Sequence, residues 1–285
     1  MERKPEWFKI NTPLGTNYRK VKNLMSSLSL HTVCQEANCP NRAECFGEKT
    51  ATFLILGDIC TRGCTFCNVK RGKPASYDRE EPQRVARAVA ELKLEYVVVT
   101  SVTRDDLPDG GAQIFADTIQ SIRKQNPECK VEVLIPDFKG SREALQIVVN
   151  TFPDVLNHNI ETIERLYGTV RKGADYSRSV QLFQNAKEMN PKILTKSGIM
   201  VGLGEKWEEI KKALTDLNQA GVQLVTIGQY LAPSHQHHPV VKFYTPDEFK
   251  DLEKMAVEIG FDGVVSGPLI RSSYKASQMY RKSDG

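Results

Sequence analysis

The sequence predicts an α/β fold, a partial (βα)6 TIM-like barrel with N- and C-terminal extensions, on two observations. From residue 51 onward, short apolar runs alternate with amphipathic stretches of helical period. A loop holding three cysteines follows the first of those runs, at a strand end, where barrels of this kind collect reactive groups. Strands alternating with helices of ~10–15 residues mean βα units and a parallel sheet.

In chain order, residues 1–33 are polar and irregular, with a short amphipathic helix at 17–30 that places Val21, Leu24, Met25 and Leu28 on one face. The apolar runs at 52–56, 96–100, 131–135, 155–156, 194–201, 222–227 and 263–265 read as strands. Helices are expected at 81–92, 112–124, 141–150, 177–189, 205–220 and 246–259. Ser141 stands before Arg142 and Glu143 as an N-cap. Thr245-Pro246-Asp247-Glu248 supplies a cap, a proline at the first helical position and acidic first-turn residues. With no low-complexity linker, the expected division is an extension at 1–50 carrying three cysteines, a catalytic barrel at 51–260 and a C-terminal extension at 261–285.

Composition excludes several classes. Hydrophobic content of 40% and charged content of 26% over 285 residues describe an ordinary globular protein. A net charge of 39 − 35 = +4 is a mild excess, not a nucleic-acid signature. The first residues, Met1-Glu2-Arg3-Lys4-Pro5-Glu6-Trp7, lack the apolar core of a signal peptide. No stretch approaches ~18 consecutive apolar residues, so no membrane span is expected. Six of the seven cysteines lie between Cys34 and Cys67. In a cytoplasmic chain such clustering points to metal rather than disulfides.

The loop Cys60-Thr61-Arg62-Gly63-Cys64-Thr65-Phe66-Cys67 carries three thiols in eight residues. Three thiolates on a tight loop suit an iron–sulfur cubane with one iron left open to a ligand. A zinc site or three structural thiols are the alternatives. Zinc prefers four tetrahedral ligands, and a disulfide framework belongs to small secreted chains with an even cysteine count. A second triplet, Cys34, Cys39 and Cys45, has gaps of four and five in a polar, turn-rich stretch. It reads as a surface loop folded around a metal, with zinc or iron–sulfur both open at that spacing.

The strand-following loops supply further candidates. Residues 101–111 crowd three aspartates and two glycines, and Asp105 can accept from a cofactor ammonium; alone, this would read as a solvated turn. Glu161 can bind ribose hydroxyls, and Arg171 with Lys172 suits pairing with a carboxylate. Lys196 opens a glycine-containing stretch through Gly198, Gly202 and Gly204, where backbone can approach a ligand closely. His235, His237 and His238 cluster without a completing carboxylate or cysteine, so they read as hydrogen-bonding imidazoles near the site rather than metal ligands. Cys129 reads as a buried, inert thiol. The closing Arg271-Ser272-Ser273-Tyr274 carries no chemistry by itself.

The cysteine spacing of the 60–67 loop, with an aromatic before its last cysteine, resembles the radical S-adenosylmethionine superfamily. Together with the upstream triplet and the terminal Arg-Ser-Ser-Tyr, it resembles the lipoyl synthase family from about residue 30 to the end. The resemblance implies a sulfurtransferase (EC 2.8.1.8) that inserts two sulfur atoms at C6 and C8 of a protein-bound octanoyl-lysine. It implies two [4Fe–4S] clusters and S-adenosyl-L-methionine as cofactors. Cys60, Cys64 and Cys67 would hold the cluster that binds S-adenosylmethionine; by their position in strand-following loops, Asp105, Glu161, Arg171 and Lys196 are expected as further cofactor contacts. Cys34, Cys39 and Cys45 would hold an auxiliary cluster that donates sulfur, with Ser273 as fourth ligand and Ser272 as second choice. Implied partners are an octanoylated lipoyl carrier domain (a 2-oxoacid dehydrogenase E2 subunit or a glycine cleavage H protein) and an electron donor such as ferredoxin or flavodoxin. A cytoplasmic monomer is expected, with neither nucleic acid nor membrane as partner. Auxiliary-cluster maturases and dehydrogenases usually carry their extra cysteines after the barrel, and here no cysteine follows Cys129. A ferredoxin-like or zinc-binding module would not need six βα units.

Overall fold

A computed structural model describes residues 4–8 and 15–283; the sequence readings that fall on residues 1–3, 9–14 and 284–285 lie outside it. The chain forms two compact units, Asn11–Arg62 with Asn68–Leu156, and Asn157–Gly285 with Met1–Ile10 and Gly63–Cys67.

In the first unit, α1 (Thr16–Ser27) leads to β1 (His31–Thr32), which pairs antiparallel with β2 (Thr52–Ile55) in the register His31 to Leu54. Between them lie two short helices, α2 (Val33–Glu36) and α3 (Arg42–Gly47), where the sequence suggested only a surface loop. The physical reason is local. The Thr32 hydroxyl caps α2 by accepting from Gln35 N–H at 3.3 Å, and Ala43 and Phe46 bury the inner face of α3. A short parallel pair follows, β3 (Ile59–Cys60) on β4 (Lys70–Arg71). Then come α4 (Glu81–Leu92), β5 (Tyr96–Ser101), α5 (Ala112–Gln125), β6 (Lys130–Leu134) and α6 (Arg142–Val149). β2, β5 and β6 run parallel, with Thr52 opposite Val98 and Val98 opposite Glu132. All four residues of β2 and Val97, Val98 and Val99 of β5 are buried, as strands covered on both faces require. α4 lays Val85, Ala86, Ala88 and Val89 inward, and α5 lays Ile114, Phe115, Ile119 and Ile122. Ser141 caps α6 as expected, accepting from Ala144 N–H at 3.1 Å.

The chain passes between the units within β7 (Val155–Asn157). The second unit holds α7 (Tyr167–Val170), α8 (Tyr176–Met189), β8 (Leu194–Val201), α9 (Trp207–Gln219), β9 (Leu224–Gln229), α10 (Pro246–Ile259), β10 (Gly263–Gly267) and α11 (Ala276–Ser283). β8, β9 and β10 are parallel neighbours, with Lys196 opposite Leu224 and Leu224 opposite Gly263. Two elements start two residues later than in the sequence reading. α9 starts two residues after Glu205, because that carboxylate is held by the N–H groups of Gly202 and Leu203 at 2.6 and 2.9 Å. β9 starts two residues after Val222, whose N–H still closes α9 on Leu217. α10 has the expected entry: Thr245 and Glu248 form a reciprocal capping box around Pro246.

Candidate functional site

The upstream triplet is built by α2 and α3. Cys34 is buried on α2, Cys45 sits on α3, and Cys39 occupies the turn between them, its N–H on the Cys34 carbonyl at 3.2 Å. Asn38 takes a left-handed φ of 48° to make that turn. All three thiols are free, none in a disulfide. Burial, helped by the neighbouring Cys34 and Cys39 thiols, pushes Cys45 up to about 12. Burial likewise pushes Cys34 up to about 11, opposed by the Thr52 backbone and helped by Cys39. Thiols near enough to oppose one another's ionisation are a donor set that a cationic cluster would stabilise in the thiolate form. Among the described residues no three His, Cys, Asp or Glu side chains close around a single metal ion. Three soft sulfur donors suit a thiophilic metal or an iron–sulfur cluster rather than a hard cation.

The 60–67 loop is held at both ends. In the first unit, Thr61 donates through its N–H and hydroxyl to the Thr103 carbonyl at 3.0 and 2.9 Å, and its hydroxyl accepts from Asp105 N–H at 3.1 Å. The Cys60 carbonyl accepts from Gly72 N–H at 3.0 Å, and its Sγ accepts from Arg62 N–H at 3.4 Å. The Arg62 guanidinium grips both oxygens of Asp105 at 2.7 and 2.9 Å and Asp137 at 2.6 Å. In the second unit, Thr65 N–H and hydroxyl donate to the carbonyls of Val170 and Thr169 at 2.9 and 3.0 Å. The histidine loop closes on the same segment: His238 N–H donates to Thr65 O at 2.9 Å, and His237 Nε2 to Cys67 O at 3.2 Å. His238 Nε2 donates to Leu203 O at 2.9 Å. A carbonyl only accepts, so both rings carry a proton on Nε2. The histidines are hydrogen-bonding groups beside the cysteines, as their sequence context suggested.

Glu161 and Arg171 share the second unit with Cys64. Glu161 sits at φ 64° in an isolated bridge to Ile199 of β8, a conformation that costs a non-glycine residue about 1–2 kcal/mol. Burial raises its pKa, opposed by Arg171, by the Asn159 amide and by Arg271. Arg171 is buried, donating to the Tyr167 hydroxyl at 2.8 Å and Ser179 Oγ at 3.1 Å. Burial works against its charge, but Tyr167, Glu161 and Cys64 outweigh it. Thus the structure brings Cys64, Glu161 and Arg171 into one electrostatic neighbourhood. Lys196, on β8, is only 1% exposed. Asp105 belongs to the first unit, with its carboxylate on Arg62.

Asn159, which sequence reasoning passed over, joins three parts. Its Nδ2 donates to Glu161 and to Ser272 Oγ, both at 3.1 Å, while its buried Oδ1 has no hydrogen-bond partner among the described residues. A Cβ on Gly198 would come within 2.8 Å of that Oδ1, which is why β8 is bare there. The C-terminal segment lies against β9, where a Cβ on Gly228 would meet Ile270 O at 2.1 Å. Arg62 and Asp137 also escaped sequence reasoning as individual residues. Position inside the cysteine loop was the one available signal for Arg62.

Residues 54–217 match the family model of the radical SAM superfamily, and residues 1–39 match that of the N-terminal domain of lipoyl synthase. Among solved structures, HydG, a maturase of the [FeFe]-hydrogenase, superposes with a TM-score of 0.58 at 17% identity, covering 74% of this chain and 50% of that one. Methylornithine synthase (PylB) gives 0.52 at 17%, covering 78% and 67%. These likenesses show the fold, an α/β partial barrel. The chain is 56% identical to the lipoyl synthase of Caldicellulosiruptor saccharolyticus, covering 97% of both chains. It is 58% identical to that of Caldicellulosiruptor bescii, covering 96% of this chain and 94% of that one. With such identity sustained along nearly its whole length, the chain belongs to the lipoyl synthase family of radical SAM enzymes.

Proposed function

We propose that the two cysteine triplets divide one reaction between them. The chain is a sulfurtransferase that inserts sulfur at C6 and C8 of an octanoyl-lysine carried on a lipoyl carrier protein. A one-electron-reduced [4Fe–4S] cluster with bound S-adenosylmethionine would supply the radical chemistry that takes hydrogen from an unactivated C–H bond, which no side-chain base can ionise. In our reading, Cys60, Cys64 and Cys67 hold that cluster. Cys34, Cys39, Cys45 and Ser273 hold a second [4Fe–4S] cluster whose sulfide is transferred. Glu161, Arg171 and Lys196 face the cofactor, with Arg171 suited to its carboxylate, and Asp105 acts through Arg62.

The observation that carries this division is the separateness of the two sets. One sits on α2, α3 and the turn between them, with Cys39 near enough to help raise the pKa of Cys34 and Cys45. The other sits on a loop held by Thr103, Val170 and His237. Ser273 is favoured over Ser272 because the hydroxyl of Ser272 is taken by Asn159. The proposed organisation is an extension at 1–50, a barrel at 51–260 and a terminal extension at 261–285. Carrier choice between an E2 subunit and a glycine cleavage H protein, reduction by ferredoxin or flavodoxin, a monomeric state and a cytoplasmic location complete the proposal. No helix among the described residues is long and apolar enough to cross a membrane.

The test is anaerobic incubation with S-adenosylmethionine, reductant and an octanoyl-lysyl peptide, read by mass spectrometry for two added sulfurs. Iron and sulfide near eight each per chain support two cubanes. Zinc without sulfide defeats the reading.

A further inference from the structure

Arg62 lies between the first two cysteines of the 60–67 loop, and no chemical step calls on it. Its side chain is nevertheless deeply buried, the residue only 8% exposed. A guanidinium in that position is costly unless it is paired. Here the pairing is double: Nε and Nη2 fork onto Asp105, and Nη2 also donates to Asp137. Asp105 follows β5, and Asp137 follows β6. Asp137 also accepts from Lys139 N–H at 3.1 Å, and Lys139 Nζ donates to the Asp105 carbonyl at 2.9 Å, so the two loops brace each other. What this network anchors is main chain. The N–H of Arg62 donates to Cys60 Sγ at 3.4 Å, next to a Thr61 already fixed on Thr103.

We propose that Arg62 is a positioning residue for the cluster that binds S-adenosylmethionine: its fork onto Asp105 and Asp137 fixes the main chain so that one N–H points at a ligand sulfur, and this sets the cluster's reduction potential. The proposal rests on the assignment of Cys60, Cys64 and Cys67 to that cluster. A hydrogen bond to a thiolate ligand withdraws electron density from the metal and raises its potential. Geometry matters as well as charge, because lysine keeps the positive charge but cannot make the fork.

The experiment compares wild type, Arg62→Lys and Arg62→Gln after anaerobic loading, following the reduced signal by electron paramagnetic resonance during a redox titration, with and without S-adenosylmethionine. Iron and sulfide should match wild type in both variants. Both should titrate at more negative potential, with the reduced-to-oxidised ratio at the wild-type midpoint falling about tenfold, or about 59 mV for a one-electron couple. Their signals should also respond less to S-adenosylmethionine. If both variants titrate as wild type, the proposal is overturned. If Arg62→Lys behaves as wild type while Arg62→Gln shifts, charge rather than position sets the potential, and it is overturned again. Should Arg62→Gln fail to load because two carboxylates are left without their cation, Arg62→Gln/Asp137→Asn carries the same reading with one of them neutralised. A wild-type signal that does not respond to S-adenosylmethionine overturns the cluster assignment and this proposal with it, so the two failures are distinguishable.

Discussion

The Nδ2 of Asn159 donates to the hydroxyl of Ser272 at 3.1 Å, tying the loop after β7 to the C-terminal Arg-Ser-Ser-Tyr turn. In the proposed assignment the neighbouring Ser273 is the iron ligand, and the two serines then have different work. Ser272→Ala should cost about 1 kcal/mol, one lost hydrogen bond, and keep turnover. Ser273→Ala should keep S-adenosylmethionine cleavage yet lose sulfur insertion. Thermal unfolding and product mass read the two effects separately. The reverse pattern would move the iron ligand to Ser272.

The two triplets predict a division of phenotype. Cys64→Ala should abolish deoxyadenosine formation. Cys39→Ala should leave it in place while lipoyl product disappears. Deoxyadenosine and lipoyl peptide are quantified in the same anaerobic reaction. Product from Cys39→Ala at the wild-type level would end the sulfur-donor role of the upstream triplet.

Much of this arrangement was legible in the sequence, for local reasons. β8 matched its apolar run, and α4 and α10 their amphipathic stretches, the latter entered by Thr245 and Pro246. The helices α2 and α3 escaped because their signals lie outside the cysteine pattern, in the cap from Thr32 and the burial of Phe46. Contacts of long separation escaped altogether. Asp105 stood out as one of three crowded aspartates, but its partner lies 43 positions earlier, and the other partner of Arg62 lies 75 positions later. No periodicity encodes such pairs; they exist only once parallel strands have set β2, β5 and β6 in register.

Gly228 offers a steric test of the C-terminal segment. Its φ is not in the left-handed region, so alanine is allowed by the backbone, but the new Cβ would meet Ile270 O at 2.1 Å. Main chain cannot yield as a flexible side chain does, so the segment must move. Gly228→Ala should cost about 1–3 kcal/mol, as overpacking does, and reduce product far more than deoxyadenosine. Hydrogen exchange across residues 268–275 should rise. An unchanged exchange rate together with full product would show that the segment need not lie on β9.

His237 tests whether the cysteine loop depends on the histidine loop. Its Nε2 donates to the Cys67 carbonyl at 3.2 Å, while Nδ1 pairs with Ser234 Oγ at 2.8 Å, so the ring is fixed from both sides. His237→Ala removes a side-chain donor from that carbonyl. It leaves His238 N–H on Thr65 in place. Expected is normal iron loading with deoxyadenosine formation slowed about tenfold, because about 1.4 kcal/mol of misplacement is a factor of ten in rate. His237→Gln, which retains an N–H donor of similar reach, should recover part of that rate. Equal rates for alanine and glutamine would show that the imidazole serves the fold of its own loop and not the position of Cys67.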